Sequence, residues 1–287
     1  MSFPIRRSRL DRILRGGLIA AAVAAASIFL LVFVFLWVEA GPAFSNPGPK
    51  ALFADQGWYP SSNSFGMLPM LLATLATAFG ALLLAIPVGV GAAIYARYFA
   101  PRILAPIFRR LMELLAGIPS VVFGLWGLLV LVPAIAAGLG GPGQSLLAAI
   151  LVLALMIIPT IALTTEAALR TVPVSALLGA TALGLSRGSV VRCVALPTAA
   201  RGIRSGILLA LARGIGETMA VLMIAGNKVQ APFDLLEPVR TLSANIALEL
   251  GYANEAHRAV LFFGGLLLTT TVILFLVPRF RASGRAI

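Results

Sequence analysis

Arg213 and Glu217 are the two charges that lie well inside an apolar stretch of this 287-residue chain. At about 1.5 Å per helical residue, Arg213 lies about 13 Å beyond Arg204, near the middle of a hydrocarbon core about 30 Å thick. Insertion scales assign about 2.5–3.5 kcal/mol to an arginine at that depth, so its presence demands a reason. The i,i+4 spacing predicts both side chains on one helix face. A neutralised pair that holds a bundle together is one reason. A site on a path across the membrane is the other, and ionisable groups at this depth point to function. A guanidinium offers a planar fork of donors to an oxyanion. A carboxylate beside it repels an anion unless the anion carries a proton that the carboxylate can accept. The expectation is that Arg213 attracts an oxyanion and Glu217 favours its protonated form.

Other polar positions are weaker candidates. Ser120 follows Pro119 at a predicted helix start, where free amides favour anions. Thr77, Thr160 and Thr218 can satisfy their hydroxyls on their own helices. His257 stands beside Glu255 and Arg258 and is expected on a solvated face. A single histidine excludes a multi-histidine metal site, and the single cysteine, Cys193, excludes an internal disulfide. No catalytic group and no metal ligand set is expected. Both lysines, Lys50 and Lys228, lack a preceding glycine. A phosphate-cradling loop of the Gly-Lys-Ser/Thr kind is therefore absent, and the chain is not an ATPase by that machinery.

These residues must be positioned by membrane helices. Of the residues, 60% are hydrophobic and 11% charged, whereas a soluble domain carries about 25% charged. Six apolar stretches predict spans at 16–38, 67–95, 114–137, 145–163, 203–225 and 259–278. A basic tail (1–15) precedes them and a short tail (279–287) follows. Loops at 39–66 and 226–258 lie on one side, and loops at 96–113 and 164–202 on the other. The first run, 23 residues long, exceeds the roughly 7–15 residues of a signal-peptide core and predicts an uncleaved anchor. Gly117-Ile118-Pro119-Ser120 predicts a kink near the start of the third span. Gly202, Gly206, Ala210 and Gly214 recur every four residues, a pattern that lets helices approach closely.

The net charge of +12 raises the question of nucleic acid, but its distribution answers otherwise. With both termini in the cytoplasm, cytoplasmic segments and span ends hold 17 Lys and Arg, the outer loops hold 4, and Arg213 is the remainder. That asymmetry is the positive-inside signal, so the basic excess records orientation and no nucleic-acid partner is expected. The outer loops net −2, which provides no basic funnel for an anion.

The 164–202 loop is long and apolar for a segment facing water. Val174 to Leu183 predicts a short helix broken by Gly184, and Ser186 to Leu196 a second helix closed by Pro197. Such a unit suits the membrane interface or a partner's groove. Leu183-Gly184-Leu185 followed by Val194-Ala195-Leu196-Pro197 resembles the signature loop of ABC importer permeases. That loop runs Glu-Ala-Ala, three residues, Gly, nine residues, a branched apolar residue, one residue, Leu-Pro. The spacing from Gly184 to Leu196-Pro197 matches. Leu178, Gly179 and Ala180 occupy the Glu-Ala-Ala positions, while Glu166-Ala167-Ala168 lies twelve residues earlier.

The resemblance extends along the chain. Leu75-Ala76-Thr77 and Ala85-Ile86-Pro87-Val88-Gly89 look like the second span of these permeases. Gly117-Ile118-Pro119-Ser120-Val121-Val122-Phe123-Gly124 is similar to the phosphate-importer branch. Gly216-Glu217-Thr218-Met219-Ala220-Val221, Gly226-Asn227, Thr241-Leu242 and Ile246-Ala247-Leu248-Glu249-Leu250-Gly251 resemble its PstC-type subunit. The resemblance implies an all-α, six-span type I importer permease in the cytoplasmic (inner) membrane. It implies transport of inorganic phosphate by alternating access. It also implies a PstA-type sister permease, a cytosolic ATPase dimer that uses the ATP, and an external phosphate-binding protein, with no cofactor on this chain. A permease for sulfate or molybdate remains the nearest alternative. An intramembrane enzyme acting on lipid phosphates and a secondary transporter working alone are the more distant ones.

Overall fold

Among the described residues, six helices are long and apolar enough to cross a membrane: Ile13–Ser45, Leu68–Phe99, Ser120–Leu139, Leu146–Arg170, Arg187–Ile215 and Glu255–Leu276. The computed structural model describes residues 9–54 and 57–283. The beginning of the 1–15 tail and the end of the 279–287 tail lie outside the described residues.

The first span is a single long helix, α1 (Arg9–Ser45), followed by a short helix, α2 (Pro49–Leu52). A two-stranded hairpin comes next, β1 (Trp58–Tyr59) against β2 (Ser64–Phe65), antiparallel with Trp58 opposite Phe65. The second span is α3 (Leu68–Ile94), extended by a π-helical turn at Tyr95–Phe99. The third is approached by α4 (Leu104–Gly117), whose C-cap Ile118 is extended, with Pro119 as the cap of the next helix. It then runs through α5 (Ser120–Trp126), a π turn (Gly127–Leu131) and α6 (Val132–Leu139). The fourth is α7 (Leu146–Arg170), started by Ser145, whose Oγ accepts the Ala148 N–H.

The loop after α7 holds α8 (Val174–Ala182) and α9 (Arg187–Val190). A π turn at Val191–Ala195 joins α9 to α10 (Leu196–Ile215). After a break come α11 (Met219–Ile224), α12 (Leu242–Glu249) and the last helix, α13 (Glu255–Ser283). The expectation that Pro197 closes the helix begun at Ser186 is corrected here. The π turn shifts the hydrogen-bond register just ahead of the proline, so no donor is missing where its N–H is absent. Helix therefore continues from Arg187 to Ile215.

The buried centre is α7, packed between α3 and α10. Glycines make this possible. A Cβ on Gly80 or Gly89 of α3 would strike Ile150 or Ile161 of α7. On α10, a Cβ on Gly202 would strike Ala168, and one on Gly206 would overlap Thr164. The four-residue stripe therefore faces α7, and dispersion between closely approaching backbones holds the helices where the hydrophobic effect is absent. In contrast, α1 leaves most of its side chains exposed and packs chiefly along α13.

Replacing Gly206 by Leu forces overpacking at the α7–α10 contact, which costs about 1–3 kcal/mol. A clear fall in the thermal midpoint of the purified chain in detergent is expected. Gly17→Leu on α1, where nothing lies within 4 Å of the added carbon, should leave the midpoint within about a degree of wild type.

Candidate functional site

The fifth span is discontinuous. Helix α10 ends at Ile215, and Gly216 caps it with its N–H on Ala212 O at 3.2 Å. Glycine on either side of Ile215 weakens the helix at this point. Glu217 then turns out of the helix. Its N–H donates to Gly214 O at 3.3 Å, and its Oε1 accepts the Ala220 N–H at 3.1 Å in the first turn of α11. Thr218 donates its hydroxyl to Gly216 O at 3.2 Å. Arg213 and Glu217 therefore do not share one helix face, because the helix on which that spacing depends stops between them. Among the described residues, no ion pair or hydrogen bond engages Arg213, which is exposed on α10. The guanidinium lies in the last turn of α10, at the edge of the break.

Neighbouring helices fix the break. Gly124 of α5 lies so close to α11 that a Cβ there would stand 2.9 Å from the Ala220 Cα. Ser243, in the first turn of α12, donates its hydroxyl to the Glu217 carbonyl at 2.7 Å. The Leu242 N–H donates to Thr74 Oγ1 of α3 at 3.0 Å, and Thr241 caps α12 by accepting the Ala244 N–H. An open groove of about 620 Å³ runs beside the break, lined by Gly216, Thr218, Ser243, Ala247, Gly265 and Thr269 among others. Ser120 begins α5 and is half-buried, one helical turn before Gly124.

A buried polar cluster joins the outer ends of the elements. Glu249, 6% exposed, accepts Arg240 Nη1 at 2.6 Å on one oxygen and Trp58 Nε1 at 2.7 Å on the other. Arg240 also donates to Asn245 Oδ1 at 3.0 Å and to the Asn227 carbonyl at 2.7 Å. His257 places Nε2 2.9 Å from the second Glu249 oxygen, within a cage of Trp58, Phe65 and Tyr252 rings. His257 is only 3% exposed, so the expected solvated face is corrected: the hairpin and α12 cover it. Arg240 and Glu249 likewise neutralise each other inside the fold. Sequence reasoning missed this cluster because Trp58 and the residues it meets, Glu249 and His257, lie at least 191 residues apart.

On the opposite end, α8 closes in a glycine motif. Gly184, at φ 81°, donates to Thr181 O, and Leu185 donates to Ala180 O. These two bonds satisfy carbonyls of the last turn, and the left-handed φ suits glycine. Ala180 is buried, whereas Gly179 and Leu178 (63%) are exposed, as is Leu183 (83%). Leu196 and Pro197 open α10 instead of ending a loop helix. Glu166 is nearly buried and binds Arg170 at 2.6 Å on its own helix. It therefore serves α7 and leaves the exposed surface of α8 without a carboxylate. On α4, Glu113 lies 2.7 Å from Arg109 and holds that guanidinium above its ordinary range, first through their hydrogen bond. Among the described residues, no group of three or more His, Cys, Asp or Glu could hold a metal ion.

A six-span bundle with a broken fifth helix and an apolar helical loop between spans four and five defines a type I ABC importer permease. Two solved inward-facing forms of the MetNI methionine ABC transporter share the fold. One matches with a TM-score of 0.56 and 21% identity, over 80% of this chain and 97% of that one. The other matches with a TM-score of 0.56 and 24% identity, over 76% and 92%. The family model for the binding-protein-dependent transport system inner membrane component matches residues 85–281, and the chain belongs to that family. It is similar to the phosphate transport system permease protein PstC of Xylella fastidiosa, 34% identical over 91% of this chain and 87% of that protein. PstC 1 of Mycobacterium tuberculosis is 39% identical over 72% and 69%. The probable ABC transporter permease YqgH of Bacillus subtilis is 33% identical over 97% and 93%.

Removing the Glu249 carboxylate leaves a part-buried guanidinium and a buried indole N–H without their shared acceptor. Breaking a buried pair from one side costs about 3–5 kcal/mol. Glu249→Ala should lower the thermal midpoint by more than any other single change in the outer cluster. Glu249→Gln, which keeps an acceptor, should recover part of the loss in the same melting assay.

Proposed function

We propose that this chain is the membrane-spanning subunit of an ATP-driven importer of inorganic phosphate in the cytoplasmic membrane, with the path running past Arg213 and the break at Glu217. The observation that carries the substrate is the similarity to PstC permeases, 34% identical over 91% of the chain. The free guanidinium of Arg213 supports the path. Its planar fork can donate two bonds to phosphate oxygens where no water competes. Glu217 holds one carboxylate oxygen on the Ala220 N–H. The other is available to accept the proton of hydrogenphosphate, which sulfate lacks near neutral pH. Ser120 is a weaker member of the path.

The chain itself is a permease, not an enzyme, and the energy comes from a partner. A cytosolic ATPase dimer would dock on α8, where Leu178, Gly179 and Leu183 are exposed and Ala180, Gly184, Leu196 and Pro197 set the shape. With Leu178 in place of the glutamate, this docking is apolar. A PstA-type sister permease would cover the exposed side of α10, and an external phosphate-binding protein would deliver the anion.

Phosphate uptake in a strain deleted for this chain tests the reading, with sulfate uptake as the comparison. Wild type restores phosphate uptake alone. Arg213→Ala should lower it by at least about tenfold, since a charge-assisted bond is worth about 1.5–3 kcal/mol. Glu217→Gln keeps the acceptor for Ala220 and loses the charge. It should therefore fold normally and relax the rejection of sulfate, and unchanged selectivity would refute the proton-accepting role.

Docking is tested separately. Leu183→Asp should abolish co-purification of the ATPase while the permease remains intact. Gly184→Val, which strains the left-handed position by about 1–2 kcal/mol, should weaken it by about tenfold.

A further inference from the structure

We infer that Ser243 is a positioning residue for Glu217, and that through it the outer helix α12 sets the geometry of the break. The inference rests on the proposed path at Glu217 and goes beyond it by naming what holds that path in place.

The Glu217 carbonyl lies at a break in a membrane span. A backbone acceptor there needs a partner supplied by the protein, because hydrocarbon supplies none. Ser243 supplies it at 2.7 Å, from a residue that is buried and lies 26 positions further along the chain. Three bonds then define Glu217: its N–H on Gly214 O, its carboxylate on the Ala220 N–H, and its carbonyl on Ser243. Two of them join residues within four positions and move with the fifth span. Only the Ser243 bond reaches another element.

That element is anchored at both ends. At its start, the Leu242 N–H donates to Thr74 of α3, whose hydroxyl in turn donates to Met70 O at 2.7 Å. At its end, Glu249 binds Trp58 of the hairpin and Arg240, with His257 of α13 beside it. Helix α12 therefore has its last turn in the outer cluster and its first turn on the break. A shift of the outer cluster moves Ser243, and Ser243 moves the Glu217 backbone.

A substrate-free measurement tests the tether. In a Cys193→Ser background, Thr218→Cys serves as a reporter in the break, labelled by a water-soluble thiol reagent in membranes. Adding Ser243→Ala should raise the labelling rate on the order of tenfold, and Ser243→Thr, which keeps the hydroxyl, should restore it. An unchanged rate in Ser243→Ala overturns the tether, whatever the chain transports. In the uptake assay with Thr218 intact, Ser243→Ala should raise the KM for phosphate several-fold with a smaller change in maximal rate, and Ser243→Thr should recover it. A faster labelling rate with KM and maximal rate both unchanged overturns the positioning role. Should Arg213→Ala and Glu217→Gln also leave uptake intact, the path reading fails as well, and that outcome is distinguishable from failure of the tether.

Discussion

Hydrocarbon offers no partner to a charge or to a backbone amide, and the architecture of this chain follows from where that constraint is met and where it is left open. Along α7 it is met internally: every residue is helical, and the neighbouring helices supply packing in place of solvent. At Arg213 it is left open. The guanidinium is exposed on α10, and no ion pair or hydrogen bond engages it among the described residues. An intramembrane charge of this kind is costly and marks a candidate functional position.

The break at Gly216–Thr218 explains why Arg213 is free. In an unbroken helix, Glu217 would lie one turn above Arg213 and the two would neutralise each other. Ending α10 at Ile215 sends the carboxylate to the Ala220 N–H instead. The same event satisfies an amide of α11 and removes the competitor from the arginine. Breaks in membrane helices are tolerated where the freed groups find partners: the Gly216 N–H is on Ala212 O, the Glu217 N–H on Gly214 O, and the Glu217 carbonyl accepts from Ser243. Close packing holds this geometry from the side, because Gly124 admits α11 at a distance that any larger residue would forbid.

Much of the framework was legible from residue patterns, because its causes are local. Apolar run length indicates six spans, the Gly202-Gly206-Ala210-Gly214 stripe indicates a close helix contact, and Gly184 indicates a helix end. Each depends on residues within about a turn or two of one another. The site was less legible. Spacing placed Arg213 and Glu217 together, since i,i+4 arithmetic assumes a helix that Gly214 and Gly216 undermine. Pro197 read as a terminator because the compensating π turn at Val191–Ala195 has no strong sequence signal. His257 read as solvated because the groups that enclose it, Trp58 and Phe65, are nearly two hundred positions away. Contacts of that range are set by the assembled fold.

The two ends of the bundle differ in a way that bears on how transport is driven. On the outer side, charged groups are turned inward and consumed: Glu249, Arg240 and His257 cross-link the hairpin, α12 and α13. Such a cluster resists local opening, because displacing any one member leaves buried polar groups without partners. On the cytoplasmic side, α8 offers Leu178 and Leu183 to whatever covers it, and the one glutamate nearby is committed to Arg170. Apolar contact of that kind is non-directional. A cross-linked cluster, joined to the break through Ser243, and an apolar surface, continuous with α10 through α9 and the π turn, lie at opposite ends of one span. The point between them where helix gives way is the segment beside Arg213.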